Sequence, residues 1–360
     1  MKKTISLMAL LIVCLTLQAQ NKQEQIKQIR EAYAQAKADI AENGKNGNPR
    51  MDMEIALNDG TEVSEDFIIN DITEMTFYFK RIHLRGDTDL FDPRCYFIIE
   101  NWSANGHTSY REMLFDPFTN RLLFSYMHVE THAGGIIESR FYYDENGQLI
   151  EQKYKEGDRE TTSDGQSWST GESDLAMAKK NLAIFDNLMS QKGVSAESYT
   201  QSQTAGVAEQ MKQIREAYAE AKQKIANDKT SELPRNMLIE IHDQEDPEMP
   251  AQTDIKNYWF EPVGDGEQTR NGCYFISSTT ELGDHHVYSE YLFNPKTSKL
   301  IFCFSQQAQN EGPALEWRYY FDEKGTCIQA KGSEGKYGPG FADKMAAAVY
   351  LKIFNLLANS

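Results

Sequence analysis

The feature that most constrains this chain of 360 residues is an internal repeat. Residues 25–37 return as residues 210–222, and only the pairs Ile26/Met211 and Gln35/Glu220 differ. Self-similarity of this kind indicates that one structural unit has been duplicated, so any fold has to be assigned twice. The segments that follow each copy also align, as shown by Cys-Tyr-Phe-Ile at 95–98 and again at 273–276.

Each copy opens with the pattern of an amphipathic helix. Apolar residues recur at steps of three and four, which places them on one face of a helix. This stripe consists of Ile26, Ile29, Tyr33, Ala36 and Ile40 in the first copy and of Met211, Ile214, Tyr218, Ala221 and Ile225 in the second. We expect both helices to pack on a sheet through this stripe.

Six runs rich in aromatic and β-branched residues follow each opening helix, and their composition predicts strands. They span 51–57, 75–84, 95–100, 110–115, 122–129 and 137–143 in the first copy and 237–241, 255–260, 273–277, 288–293, 300–306 and 315–321 in the second. Asp116-Pro117 and Asn294-Pro295 predict hairpin turns, as does Asn146-Gly147. Helical patterns over 175–189 and 341–357 close the two copies.

Consecutive strands with helices only at the ends are typical of the α+β class. We therefore predict two tandem homologous domains, each with an N-terminal helix, an antiparallel β-meander of about six or seven strands and a C-terminal helix. Residues 21–189 and 209–360 are assigned to the two repeat domains, and residues 190–208 to a flexible linker. We expect both helices of a domain to cover one face of its sheet, and each domain to fold alone.

Residues 1–20 have the pattern of a signal peptide. Lys2 and Lys3 precede an apolar run from Ile5 to Leu17, which is too short to span a bilayer, and Ala19 offers a small residue for cleavage. The pattern predicts export to the periplasm or the extracellular space. Lipidation at Cys14 is the alternative, and it is disfavoured because Val13 stands where a small residue is expected.

The composition restricts the possible partners. The formal net charge is −17, and such a field repels nucleic acid and anionic lipid. No apolar run after the leader is long enough for a transmembrane segment. The remaining partners are a protein or a glycan, and no motif calls for a cofactor.

Four cysteines follow the leader: Cys95, Cys273, Cys303 and Cys327. Only the first two occupy equivalent places in the repeat, so the copies share no disulfide framework. A bridge between Cys303 and Cys327 is possible in an exported protein if their strands are neighbours. The simpler interpretation is four small residues buried in a core.

The only histidine cluster with metal-like spacing is His128, Glu130 and His132. On a strand these three side chains share one face, and a residue from a neighbouring strand would have to complete a zinc site. The second copy has Gln306, Ala308 and Asn310 at these places, which weakens the hypothesis.

Catalysis would have to depend on carboxylates. Glu112 and Glu138 have counterparts in Glu290 and Glu316, each near a tyrosine, and paired carboxylates are the residues that hydrolyse glycosides. A ladder of cross-strand charged and aromatic pairs explains the same pattern without a reaction. We favour the ladder.

Polar residues beside the helix stripe are the best candidates for binding. Lys27, Arg30 and Glu31 recur as Lys212, Arg215 and Glu216, although packing alone does not require these residue types. We expect this flank to contact something common to both copies; partial gene conversion is the alternative. The leading function is therefore an exported, non-catalytic binding or scaffolding protein. A secreted or periplasmic hydrolase acting on glycans or peptides is the runner-up.

Overall fold

The computed structural model describes residues 2–45, 48–64, 67–83, 91–104, 107–130, 135–162, 170–189, 207–231, 234–244, 250–264, 269–332 and 340–359. The first half of the fold consists of α1 (Lys2–Glu42), β1 (Met51–Ser64), β2 (Phe67–His83), β3 (Phe91–Ala104), β4 (His107–Asp116), β5 (Arg121–Glu130), β6 (Ile136–Tyr143), β7 (Leu149–Glu156), β8 (Arg159–Thr161) and α2 (Gly171–Met189). The second half consists of α3 (Val207–Asp228), β9 (Arg235–Asp243), β10 (Gln252–Val263), β11 (Arg270–Leu282), β12 (His285–Asn294), β13 (Lys299–Gln307), β14 (Leu315–Phe321), β15 (Cys327–Gly332) and α4 (Gly340–Ala358).

All strands belong to one antiparallel sheet. Its order is β15-β14-β13-β12-β11-β10-β9-β1-β2-β3-β4-β5-β6-β7-β8, so the two halves join where β1 pairs with β9. The predicted fold class, two tandem domains each with its own sheet and terminal helices, is therefore wrong. An unpaired edge strand leaves a row of backbone donors and acceptors without partners. The first strand of each half satisfies that row with the first strand of the other.

The expectation that the helices share one sheet face is also wrong. The opening helices α1 and α3 pack on one face, and the closing helices α2 and α4 pack on the other. Alternation along the strands explains this arrangement, because successive residues such as Phe97 and Ile98, or Phe275 and Ile276, are all fully buried. Because both faces of the sheet are apolar, each face needs helices packed on it to exclude water.

The closing-helix face contains a single core that crosses the junction. Ile55 lies opposite Ile239 in the β1/β9 pair, and both belong to the same apolar cluster as Phe185 of α2 and Phe354 of α4. On the opening-helix face, by contrast, α1 and α3 cover two separate clusters.

The turns between the fourth and fifth strands follow their sequence signal in both halves. Asn120 and Ser298 occupy equivalent turn positions, and both have a φ of 57°. This left-handed conformation is accessible to short polar side chains. Phe115 and Phe293, which precede these turns, are buried, with exposed fractions of 1% and 3%.

The four cysteines are buried and carry free thiols. Cys303 lies on β13 and Cys327 on β15, with β14 between them, so the premise that their strands are neighbours is wrong. Two strand spacings are about 10 Å, beyond the reach of a disulfide. Within the described ranges, no helix has the length and apolar character needed to cross a membrane.

Candidate binding grooves

The repeated helix of the first half anchors a buried carboxylate on the sheet. Glu112 of β4 is only 3% exposed. It accepts hydrogen bonds from the Tyr33 and Tyr110 hydroxyls, and Lys37 Nζ lies 2.5 Å from its Oε1. Two of these three donors come from α1, so Glu112 fixes the position of the helix on the sheet.

The second half repeats this anchor residue by residue. Glu290 of β12 accepts from Tyr218, from Tyr288 at 2.5 Å and from Lys222 at 2.7 Å. Burial alone would raise the pKa of Glu290, but these three donors outweigh burial and hold the pKa below its usual value. The carboxylate is thus kept as an anion, which is the opposite of what a general acid requires.

A groove runs beside α1 on the opening-helix face. Its cavity of about 350 Å³ is lined by Ile29, Arg30, Tyr33, Phe124, Tyr126, Arg140 and Tyr142. The Arg30 guanidinium lies over the Tyr142 ring, 5.5 Å from its centroid, and Arg140 lies over Tyr126 at 5.6 Å. The groove therefore combines aromatic surface with two guanidinium groups, each stacked on a ring.

The lining of this groove recurs in the second half. The residues at the corresponding places are Ile214, Arg215, Tyr218, Phe302, Phe304, Arg318 and Tyr320. Only the pair Tyr126/Phe304 differs. The geometry recurs too, since Arg215 lies 5.9 Å from the Tyr320 centroid and Arg318 lies 5.0 Å from the Phe304 centroid.

The buried polar residues of the opposite sheet face have not been retained in the same way. In the first half Arg111 lies between Glu100 at 2.9 Å and Asp174 at 3.5 Å. In the second half Ser278 and Ser289 stand at the places of Glu100 and Arg111. The duplication has thus preserved the groove beside the opening helix and altered the buried polar residues of the closing-helix face.

The predicted binding flank of α1 and α3 divides into two groups. Lys27 and Glu31 are exposed and 4.0 Å apart, and their counterparts Lys212 and Glu216 are 3.9 Å apart. Of the predicted flank, Arg30 lines the groove, and Arg215 holds the equivalent place over the Tyr320 ring. Sequence reasoning missed the anchoring roles of Tyr33 and Lys37, although their repetition was visible.

A larger cavity of about 620 Å³ adjoins the groove of the first half. It is lined by Ile72, Glu74, Asn101, Trp102, Ser103, Thr108, Ser109, Tyr110, His128 and Glu130. Tyr110 of this cavity and Tyr126 of the groove are in edge-to-face contact, with ring centroids 6.3 Å apart. The two cavities therefore meet at a shared aromatic wall.

The metal candidates lie at this larger cavity. His128 and Glu130 face the same way on β5, and Glu130 accepts a hydrogen bond from Thr108 at 2.7 Å. His132 lies outside the described residues. Among the residues that the structure describes, no group of three or more His, Cys, Asp or Glu side chains is placed to hold a metal ion.

The remaining catalytic candidates are engaged with arginines. Glu138 is 2.5 Å from Arg140, and Glu316 is 2.9 Å from Arg318. Each carboxylate therefore helps to hold the guanidinium that stacks on the groove ring. The Glu–Arg pairs lie within a single strand, whereas the ring contacts of Arg140 and Arg318 cross to the neighbouring strand.

The chain matches no protein-family profile, no curated protein and no solved structure.

Proposed function

We propose that this chain is an exported, non-catalytic binding protein that presents one groove twice on the same face of a continuous sheet. The observation that carries the proposal is the recurrence of the groove lining, with only Tyr126 replaced by Phe304. Packing under the opening helix accounts for the buried members of the lining, such as Ile29, Phe124 and Tyr142. It does not account for the arginines, which are not buried and stack on the groove rings in both halves.

The arginines of the grooves are suited to ligand binding. In the described part of the chain, neither Arg30 nor Arg215 forms an ion pair, and each is held over a tyrosine ring. Arg30 Nε donates to the Tyr142 hydroxyl at 3.4 Å, so its terminal nitrogens are the donors for a carboxylate or phosphate. A guanidinium held over a ring also loses little freedom on binding. We infer that an anionic group of the ligand contacts Arg30 and Arg215.

The spacing of the grooves favours a ligand with two epitopes. β5 and β13 are nine strands apart in the sheet order. At about 4.8 Å per strand, the grooves are roughly 43 Å apart. Two sites on one rigid sheet increase the apparent affinity for a ligand that reaches both, because the second contact becomes intramolecular.

The hydrolase alternative has less support from the geometry. Glu112 and Glu290 each accept three hydrogen bonds, and Glu138 and Glu316 are paired with arginines. The pKa of Glu290 is held below its usual value by its three donors, whereas glycoside hydrolysis needs a carboxyl group that is protonated near neutral pH.

The test is a ligand screen with matched variants of the opening helices. The protein is applied to an array of peptides and glycans, and each ligand it retains is measured again with R30S, R215S and R30S/R215S. We expect each single variant to weaken binding and the double variant to abolish it. K27S and K212S are the controls, since these lysines are exposed on the same helices outside the grooves. Retention by the double variant at the parent level would contradict the proposal.

Export is proposed from the first twenty residues and needs its own test. Mass spectrometry of the mature protein from the native cell should show an N-terminus near Asn21. An intact Met1 in the cytoplasmic fraction would remove export from the proposal and leave the grooves unaffected.

A further inference from the structure

The groove of the first half extends beyond the part that is duplicated. Past Tyr110 it opens into the larger cavity, where Glu74 of β2, His128 of β5 and Glu130 of β5 line the wall. At the corresponding places the second half has Ile255, Gln306 and Ala308. The carboxylates of this extension are thus specific to the first half.

The extended groove has opposite charge at its two ends. Arg30 lies at one end, together with the Arg140–Glu138 ion pair. The carboxylates of Glu74 on β2 and Glu130 on β5 line the cavity at the other end. The adjoining rings of Tyr110 and Tyr126 form the wall between these ends. Glu74 is four strand spacings, or about 19 Å, from β6. Glu130 is six residues, or about 20 Å, along β5 from Phe124, which lies opposite the Tyr142 ring under Arg30.

We propose that the groove of the first half binds an extended peptide segment about six residues long, with a lysine or arginine side chain at the Glu74/Glu130 end and a carboxylate at the Arg30 end. The inference rests on the proposed function and names the ligand class for one of its two sites. An extended chain advances about 3.3 Å per residue, so six residues match the distance between the charged ends.

The charges favour a peptide over an acidic glycan. A uronic acid or sulfated chain would bring negative groups along its whole length and would meet Glu74 and Glu130 with like charge. A peptide can carry a positive side chain at one position and a negative one at another. Its backbone also supplies hydrogen-bonding groups for Asn101 and Thr108 in the wall of the cavity.

The experiment exchanges the distinguishing residues between the halves. The probe is a pool of hexapeptides with lysine at one end, glutamate at the other and mixed uncharged residues between them; a second pool has glutamine in place of lysine. The variant E74I/H128Q/E130A gives the first half the residues of the second. Its retention of the lysine pool should fall by roughly two- to thirtyfold, the range for losing two partly exposed charge pairs.

The reciprocal variant I255E/Q306H/A308E guards against a folding artefact. It should increase retention of the lysine pool and leave the glutamine pool unchanged, and its melting temperature reports on the fold. If lysine-pool binding depends on Arg30 but neither exchange alters it, the peptide assignment is wrong and the proposed function stands. Retention of glycans without retention of peptides would likewise overturn the peptide assignment alone. If neither class of ligand is retained, the inference and the proposed function both fail.

Discussion

Equivalent positions in the two halves can hold residues with different structural roles. Arg111 is buried between Glu100 and Asp174 and lies over Trp102, whereas the corresponding residue of the second half is Ser289. Removing one member of a buried ion cluster leaves the others uncompensated. We expect R111M to lower the free energy of unfolding by about 3–5 kcal/mol, measured by urea denaturation. R111M/E100M should recover part of that loss, and a single variant as stable as the parent would show that the cluster is solvated.

The ionisation of Glu290 should make the free energy of unfolding depend on pH. Its pKa is lowered in the folded protein, so the unfolded chain takes up the proton more readily and the carboxylate stabilises the fold above about pH 4.3. That contribution is lost as the pH falls through the folded pKa. We expect E290Q to lower the free energy of unfolding by about 1–3 kcal/mol at pH 7 and by much less near pH 3. E220Q, on the exposed side of α3, is the control; an equal loss at both pH values would contradict the anchor.

At the scale of elements, burial of the strand phenylalanines gives a direct test of packing. Phe115 of β4 and Phe293 of β12 lie in the core of the closing-helix face. F115A and F293A should each lower the free energy of unfolding by about 3–5 kcal/mol in urea denaturation, since a large cavity remains. F118A is the control, because Phe118 is 76% exposed in the turn after β4. A loss below about 1 kcal/mol in either core variant would place that ring outside the core.

At the scale of elements, the sequence predicted the packed face of the helices but not their arrangement on the sheet. The helix stripe predicted from spacing is the face that packs, since Ile26, Ile29 and Ala36 are buried. The sequence did not predict which helix packs on which sheet face. The strands present apolar residues on both faces, and this pattern does not specify which helix covers each face. Arg30 was identified from its repetition. The groove ring Tyr126 lies on a distant strand, and only the folded register brings it beside Arg140.

The whole molecule depends on the junction between β1 and β9, which no local signal in the sequence indicates. The register places Asp52 through Asn58 of β1 opposite His242 through Asn236 of β9, and Arg81 of the first half pairs with Asp243 of the second at 2.5 Å. On the closing-helix face, Lys352 of α4 donates a hydrogen bond to Asn187 of α2 at 2.9 Å. From these contacts we expect the halves to unfold as one cooperative unit rather than as two.

This cooperativity can be measured by thermal unfolding. The parent should melt in a single transition, with a calorimetric enthalpy equal to the van't Hoff enthalpy. A fragment of residues 21–189 exposes the β1 edge and part of the shared core, so we expect it to associate or to melt at a much lower temperature than the whole chain.

I55K, at the centre of the junction opposite Ile239, should destabilise both halves together because it places an unpaired charge in the shared core. I136K, on an exposed residue of β6, is the control. If I55K instead splits the transition, with the second half melting as in the parent, the halves are independent units and the junction is only a contact between them.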